Sequence, residues 1–304
     1  MSIDSTATLD ELQRLHGREG RLTLSRGALG EVVDLAAPGG TARISLQGAQ
    51  LLSWVPAGEA EVIWLSPEAR PQPGKSLRGG APVCWPWFGP HAEDERKPAH
   101  GFVRGAPWEL LDTEATAQAT RARLGFDTAG KWRDVWPHEA RAVLTVTLGD
   151  GLTLALETTN TGAEPFQLSQ ALHTYFAVAH IAETSVQGLD GCAYIDKVGP
   201  EARRRQEGMV RFDGEVDRIY LDPPGEVVIR DKALGRRIVI GASGSRSAVV
   251  WNPWIEKAAR LGDMGADGFR RMLCVETANA ADDTLTLAPG ARHVLEARYR
   301  VERV

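Results

Sequence analysis

Four short segments of the chain set ionisable side chains among apolar or glycine-rich neighbours, the surroundings that tune proton transfer and anion binding. They are Leu77–Pro90 (LRGGAPVCWPWFGP), Ala99–Arg104 (AHGFVR), Ala171–Phe176 (ALHTYF) and Val275–Asn279 (VETAN). In the third, Leu168, Leu172 and Phe176 alternate with Gln170 and Thr174, which predicts a strand with His173 on the face opposite those apolar residues. His173 is then free to point into a cavity as an acid or base, or it is a satisfied, partly buried histidine. Glu276 follows the apolar run Met272–Val275, so an ionised carboxylate there needs a wet pocket or a partner. A poised base and a structural salt bridge to an arginine both meet that need. Arg78 and Arg104 lie beside glycines that let backbone approach a ligand, and their guanidinium forks suit phosphate or carboxylate, or a surface ion pair. Of Trp85, Trp87 and Phe88, at least two are expected to pack in the core.

Other motifs fail on spacing. Gly74-Lys75-Ser76 resembles the end of a phosphate loop, but the leading glycine position holds Ala69 and no strand precedes it. Gly241–Ser245 ends in Ser where a serine-hydrolase elbow needs Gly. The histidines and cysteines lack zinc-ligand spacing, so no metal site is expected, and no glycine fingerprint for a dinucleotide is present. The Arg203-Arg204-Arg205 run reads as a solvated turn.

The elements that must position these residues are mostly strands. Leu9, Leu12 and Leu15, with Ser/Thr caps before them and Gly17 after, predict one helix over Thr8–His16. Beyond it the period is two: Ile44–Trp54, with Gly48 as a bulge or bend, then Val143–Leu148 and Leu152–Glu157 as a hairpin whose glycines permit positive φ. Phe166–Phe176, Glu226–Arg230, Arg237–Gly241, Thr284–Leu287 and His293–Val301 continue the pattern. Regular β-helix-β alternation is absent, which disfavours a parallel sheet and leaves a large antiparallel β-sandwich. Pro67–Pro107 and Trp251–Arg271 interrupt it as irregular stretches, the second as helix, loop or both. Residues 1–19 are expected to form an extension and residues 20–304 a single domain, with no linker or repeat between halves.

The 304 residues are 43% hydrophobic and 25% charged, as in globular proteins. Lys+Arg 35 against Asp+Glu 40 gives a net charge of -5, without the positive field that nucleic acid demands. No secretory signal and no run of roughly 18 apolar residues is present, so no membrane association is expected. Cys84, Cys192 and Cys274, odd in number and far apart, suit a reducing compartment, and the cytoplasm is the expected location.

Taken jointly, Arg78–Pro90, Ala99–Arg104, Ala171–Phe176, Tyr194–Lys197 (YIDK) and Val275–Asn279 closely resemble the hexose-6-phosphate mutarotases, the glucose-6-phosphate 1-epimerases of the aldose 1-epimerase superfamily. The resemblance spans residues 20–304 and implies an all-β fold, a large twisted antiparallel sandwich of the galactose mutarotase type with a few short helices. It implies cofactor-independent interconversion of the α and β anomers of D-glucose 6-phosphate and other hexose 6-phosphates. His173 would be the general acid at the ring oxygen and Glu276 the general base at the anomeric hydroxyl. His100 would assist at the ring oxygen or bind a hydroxyl, Asp196 would bind sugar hydroxyls, and Arg78 and Arg104 would hold the phosphate. Where some members carry Gln before the HGF motif, this chain has Ala99. The cycle favours a Glu276 raised toward neutrality and a His173 able to carry a proton near pH 7. A monomer is expected. The alternatives are a non-catalytic carbohydrate or sugar-phosphate binding module and a mutarotase of unphosphorylated aldoses.

Overall fold

The computed structural model describes residues 8–304. The predicted helix forms over Leu9–His16: the Thr8 hydroxyl accepts the Glu11 N–H, the Glu11 carboxylate accepts the Thr8 N–H, and Gly17 ends it. Leu9 and Leu12 pack against the core while Leu15 stays exposed. The helix end is tied to strand Glu109–Ala115, where the Thr113 hydroxyl donates to the His16 carbonyl at 2.7 Å and Arg18 Nη2 donates to the Thr113 carbonyl at 3.0 Å.

Two eight-stranded sheets form the body, beside a four-stranded sheet built from Leu22–Gly27, Gly30–Ala37, Gly40–Ser45 and Leu51–Pro56. The first large sheet runs, edge to edge, through Ala202–Arg205, Ala193–Asp196, Val216–Leu221, Ser247–Asn252, Met272–Asn279, Gln170–Leu172 and Val83–Cys84, with Tyr175–Ala177 also pairing Met272–Asn279. The second runs Thr184–Gln187, Glu226–Asp231, Arg236–Ser243, Arg292–Arg303, Leu152–Asn160, Ala140–Leu148, Thr120–Asp127 and Glu109–Ala115. Neighbours such as Ser247–Asn252 with Met272–Asn279, and Ala140–Leu148 with Leu152–Asn160, pair antiparallel, and the all-β sandwich expectation holds.

Alternation along the first sheet decides what faces where. Leu172, Phe176, Tyr194, Tyr220, Val250, Leu273 and Val275 turn inward to the main core with Leu144, Leu156, Ile238 and Leu295. Burying each such side chain contributes about 1.5–3 kcal/mol. Their sequence neighbours Ala171, Tyr175, Ile195, Ile219, Val249, Trp251 and Cys274 turn outward into a second cluster, covered by Ala258 of helix Trp254–Leu261 and by Phe269. The outer face of this sheet therefore carries a floor of its own.

Three local expectations change. The Phe166–Phe176 run is divided into Phe166–Leu168, Gln170–Leu172 and Tyr175–Ala177, because Thr174 N–H turns back to the Leu172 carbonyl at 2.9 Å and His173 N–H bonds to the Pro82 carbonyl at 3.0 Å. The hairpin at Gly149–Gly151 forms, yet neither glycine takes a positive φ. Gly151 is required by close approach, since a Cβ there would lie 2.5 Å from the Tyr299 carbonyl oxygen. The arginine run forms the edge strand Ala202–Arg205 instead of a turn, its exposed cations guarding the edge and pairing with Asp282 and Asp196. Among the described residues no helix is long and apolar enough to cross a membrane.

Candidate active site

A cavity of about 670 Å³, within the range of small-molecule sites, opens over the outward face of the first sheet. Its floor is His173, Tyr175, Ile219, Val249, Trp251 and Glu276, and its walls bring Arg78, His100 and Arg104 from the irregular Pro67–Pro107 stretch. The structure thus gathers five of the six candidate residues from segments far apart in sequence.

Glu276 sits in Met272–Asn279, between two neighbouring strands, and its side chain is 1% exposed; that of His173 is 10% exposed. His173 Nδ1 lies 3.4 Å from Glu276 Oε1. Neither Nδ1 nor Glu276 Oε2 has a hydrogen-bond partner, so the pair holds unspent polar capacity at the base of the cavity. Burial pushes the Glu276 carboxyl well up, with Asp217 adding to the effect and Arg104 opposing it. Burial pushes His173 well down, reinforced by His100, Arg104 and Arg78. Both directions favour a neutral carboxyl beside a neutral imidazole instead of an ion pair. The rise expected for Glu276 is present, whereas burial and the surrounding cations oppose the expected proton on His173. The His173 ring stacks on Tyr175 at 4.9 Å and 8° and meets Trp251 edge-on, which fixes its plane.

His100 takes φ 66°, unusual for a residue with a side chain, and strain of this kind concentrates at functional sites. The next residue must be glycine: a Cβ on Gly101 would fall 1.8 Å from the Trp85 carbonyl oxygen. His100 Nδ1 accepts the Gly89 N–H at 3.3 Å, which leaves Nε2 as the donor of the neutral ring. Burial, Arg104 and Arg78 push its pKa down to about 3, so it stays neutral at working pH.

Arg78 is held by two bonds, Nε to Asp263 Oδ1 at 2.9 Å and Nη1 to the Tyr175 hydroxyl at 3.1 Å. Burial opposes its charge, but the Tyr175 hydroxyl and the Asp263 carboxylate outweigh that and raise its pKa. Arg104 Nη2 donates to the Ala99 carbonyl at 2.9 Å, so the position that departs from the family pattern serves through its backbone. Trp85 and Trp87 are core residues and Phe88 faces the cavity, as expected for two of the three.

Asp196 is the exception. It shares the inward parity of Tyr194, accepts the Val198 N–H at 3.2 Å and faces Arg204 at 3.8 Å, away from the cavity. Its neighbour Lys197 lines the cavity instead, together with Asp217 from the adjoining strand and Lys257 from helix Trp254–Leu261. Lys257 Nζ donates to Glu215 at 2.7 Å and to Asp217 at 3.2 Å. The alternation of Ile195 with Asp196 could have assigned Lys197 to the site once the outward face was known; Asp217, Lys257 and the role of Tyr175 left no local signal. Among the described residues, His173, Cys274 and Glu276 form the one His/Cys/carboxylate group close enough to hold a metal ion.

Residues 31–300 match the aldose 1-epimerase family. An Escherichia coli K12 protein with the provisional name glucose-6-phosphate 1-epimerase is 40% identical over 263 residues, 85% of this chain and 87% of that one. A Cenchrus ciliaris protein of the same provisional name is 35% identical over 279 residues, 88% and 84% of the two chains. The crystal structure of YeaD from Salmonella typhimurium, provisionally a mutarotase, superposes with a TM-score of 0.88 at 32% identity, covering 97% of this chain and 99% of that one. On these matches and this fold, the chain belongs to the aldose 1-epimerase family and is an isomerase that interconverts sugar anomers.

Proposed function

We propose that the protein interconverts the α and β anomers of D-glucose 6-phosphate, and of other hexose 6-phosphates, by acid–base ring opening and reclosure. The observation that carries this reading is an acid–base pair 3.4 Å apart on a cavity floor whose wall presents Arg78 and Arg104. Relatives named for glucose 6-phosphate support the same substrate class.

Glu276 takes the O1 proton while His173 gives a proton to the ring oxygen. The C1–O5 bond breaks, the C1–O1 bond becomes a carbonyl, and C1 turns about C1–C2. On reclosure His173 takes back the O5 proton and Glu276 returns one to O1, so the proton inventory is restored. Each positioned transfer contributes about 10²–10⁴-fold. The phosphate dianion has a second role in this scheme: against Arg78 and Arg104 it offsets the positive charge that opposes protonation of His173. The proton shared by the pair then moves from Glu276 to His173, which arms both groups. His100 donates from Nε2 to a sugar oxygen, and Asp217 with Lys197 and Lys257 takes the hydroxyl-binding place first given to Asp196. One proton held between two side chains suffices, and the scheme uses no cofactor. The enzyme works as a cytoplasmic monomer whose 20–304 domain carries the whole site; of the expected 1–19 extension, the Leu9–His16 helix packs on that domain and residues 1–7 lie outside the described residues.

Polarimetry of freshly dissolved α-D-glucose 6-phosphate, beside free glucose and galactose, tests the reading. Acceleration confined to the phosphorylated sugar supports it; equal acceleration of all three overturns the phosphate assignment, and none overturns the catalytic one.

A further inference from the structure

Cys274 takes part in none of these steps. It lies two residues before Glu276 on the same outward face of Met272–Asn279 and is fully buried. Its Sγ, one ring nitrogen of His173 and one carboxylate oxygen of Glu276 all lie within 4.8 Å of one another. His173 and Glu276 also carry buried atoms without a hydrogen-bond partner, Nδ1 and Oε2. We propose that His173, Cys274 and Glu276 form a binding site for zinc, and that the bound ion competes with sugar for the acid–base pair.

Tetrahedral zinc with bonds of about 2.0–2.3 Å places its ligand atoms about 3.3–3.6 Å apart. His173 Nδ1 and Glu276 Oε1 already stand at 3.4 Å. The widest edge, at most 4.8 Å, must close by about 1 Å. Thiolate and imidazole select zinc over magnesium or calcium. Charge balance favours the complex at this depth: one thiolate and one carboxylate cancel the dication, the imidazole is neutral, and the neutral whole is not repelled by Arg78 or Arg104. Zinc displaces the thiol and carboxyl protons to solvent as it binds. Two of the three ligands, His173 and Glu276, line the cavity. With the metal in place, neither Glu276 nor the Nδ1 lone pair of His173 can exchange a proton.

The test uses the whole protein with Co²⁺ and Zn²⁺ salts alone. Cobalt should give tetrahedral visible bands and a near-ultraviolet thiolate-to-cobalt charge-transfer band, both displaced by zinc. The charge-transfer band should persist in Cys192→Ser and vanish in Cys274→Ala. Zinc should raise the apparent KM for sugar, and Cys274→Ala should need at least about ten times more metal for the same effect. Glu276→Gln, which keeps the side chain's shape, should weaken cobalt binding by a similar factor and covers the case in which Cys274→Ala does not fold. An octahedral cobalt spectrum without the thiolate band, or unchanged metal binding in folded Cys274→Ala, overturns the proposal. The spectra need no sugar, so they are independent of which sugar the enzyme turns over.

Discussion

Replacing Arg78 with alanine separates the phosphate clamp from the chemistry. Nε and Nη1 of Arg78 are committed to Asp263 and Tyr175 at 2.9 and 3.1 Å, so the guanidinium plane is set before substrate arrives. Its side chain is 25% exposed, which keeps the charge partly desolvated and only partly screened. Truncating one partner of a partly buried, hydrogen-bonded charge pair costs about 2–5 kcal/mol. Taking about 3 kcal/mol, kcat/KM for glucose 6-phosphate should fall about 150-fold at 1.36 kcal/mol per tenfold. Free glucose brings no phosphate to the arginine, so its kcat/KM should not fall by more than about threefold, and the relief of His173 from the Arg78 charge acts in the opposite direction. Arg78→Lys keeps the charge without the fork and should lie between wild type and alanine for the phosphorylated sugar. Initial polarimetric rates on both sugars, with far-ultraviolet circular dichroism to confirm the fold, provide the assay. Parallel losses on the two sugars would refute the clamp and make Arg78 a support for Tyr175 and His173.

Three further outcomes follow from the site. Glu276 is raised by burial, so the folded chain holds a proton there that the unfolded chain, with its carboxyl near 4.5, releases at neutral pH; that stability is present below about pH 4.5 and lost above it. Glu276→Gln should therefore raise Tm by a few degrees at pH 7.5, with little gain at pH 4, while abolishing anomerisation. His173 and His100 are lowered by burial and nearby arginines, so their contribution is present above the unfolded value of 6.5 and lost as pH falls below it. Each should add up to about 1.4 kcal/mol of destabilisation per pH unit there, and His173→Gln should flatten the fall of urea-unfolding stability between pH 6.5 and 5. Asp217→Asn should lower kcat/KM about tenfold, the cost of about one hydrogen bond to a charged group, whereas Asp196→Asn should leave it within about twofold; the reverse order in steady-state rates would restore Asp196 to the site.

Much of the scaffold was legible because it rests on local periodicity. The capped helix at Leu9–His16, the Ala140–Asn160 hairpin and the outward placement of His173 follow from capping chemistry and alternation. Asp196 misled because its chemistry suits sugar hydroxyls, while the face it occupies is set by its register with Ala202–Arg205 and Val216–Leu221 and by what covers each side of the sheet, which residue type alone does not show. Asp217 and Lys257 were silent for the same reason: Asp217 enters through its strand's pairing with Ala193–Asp196, and Lys257 through a helix of eight residues without a side-chain cap. The lowering of His173 in the free protein left no local signal, because its depth and the nearness of His100, Arg104 and Arg78 are tertiary facts.

The measurement that bears most directly on the account is two-dimensional NMR exchange between the α and β anomeric protons of glucose 6-phosphate, with wild type, His173→Asn and Glu276→Gln at equal concentration. The account predicts exchange cross-peaks with wild type and a loss of at least about 10²-fold in rate for each folded variant. Wild-type exchange in either folded variant would contradict an acid–base pair formed by His173 and Glu276.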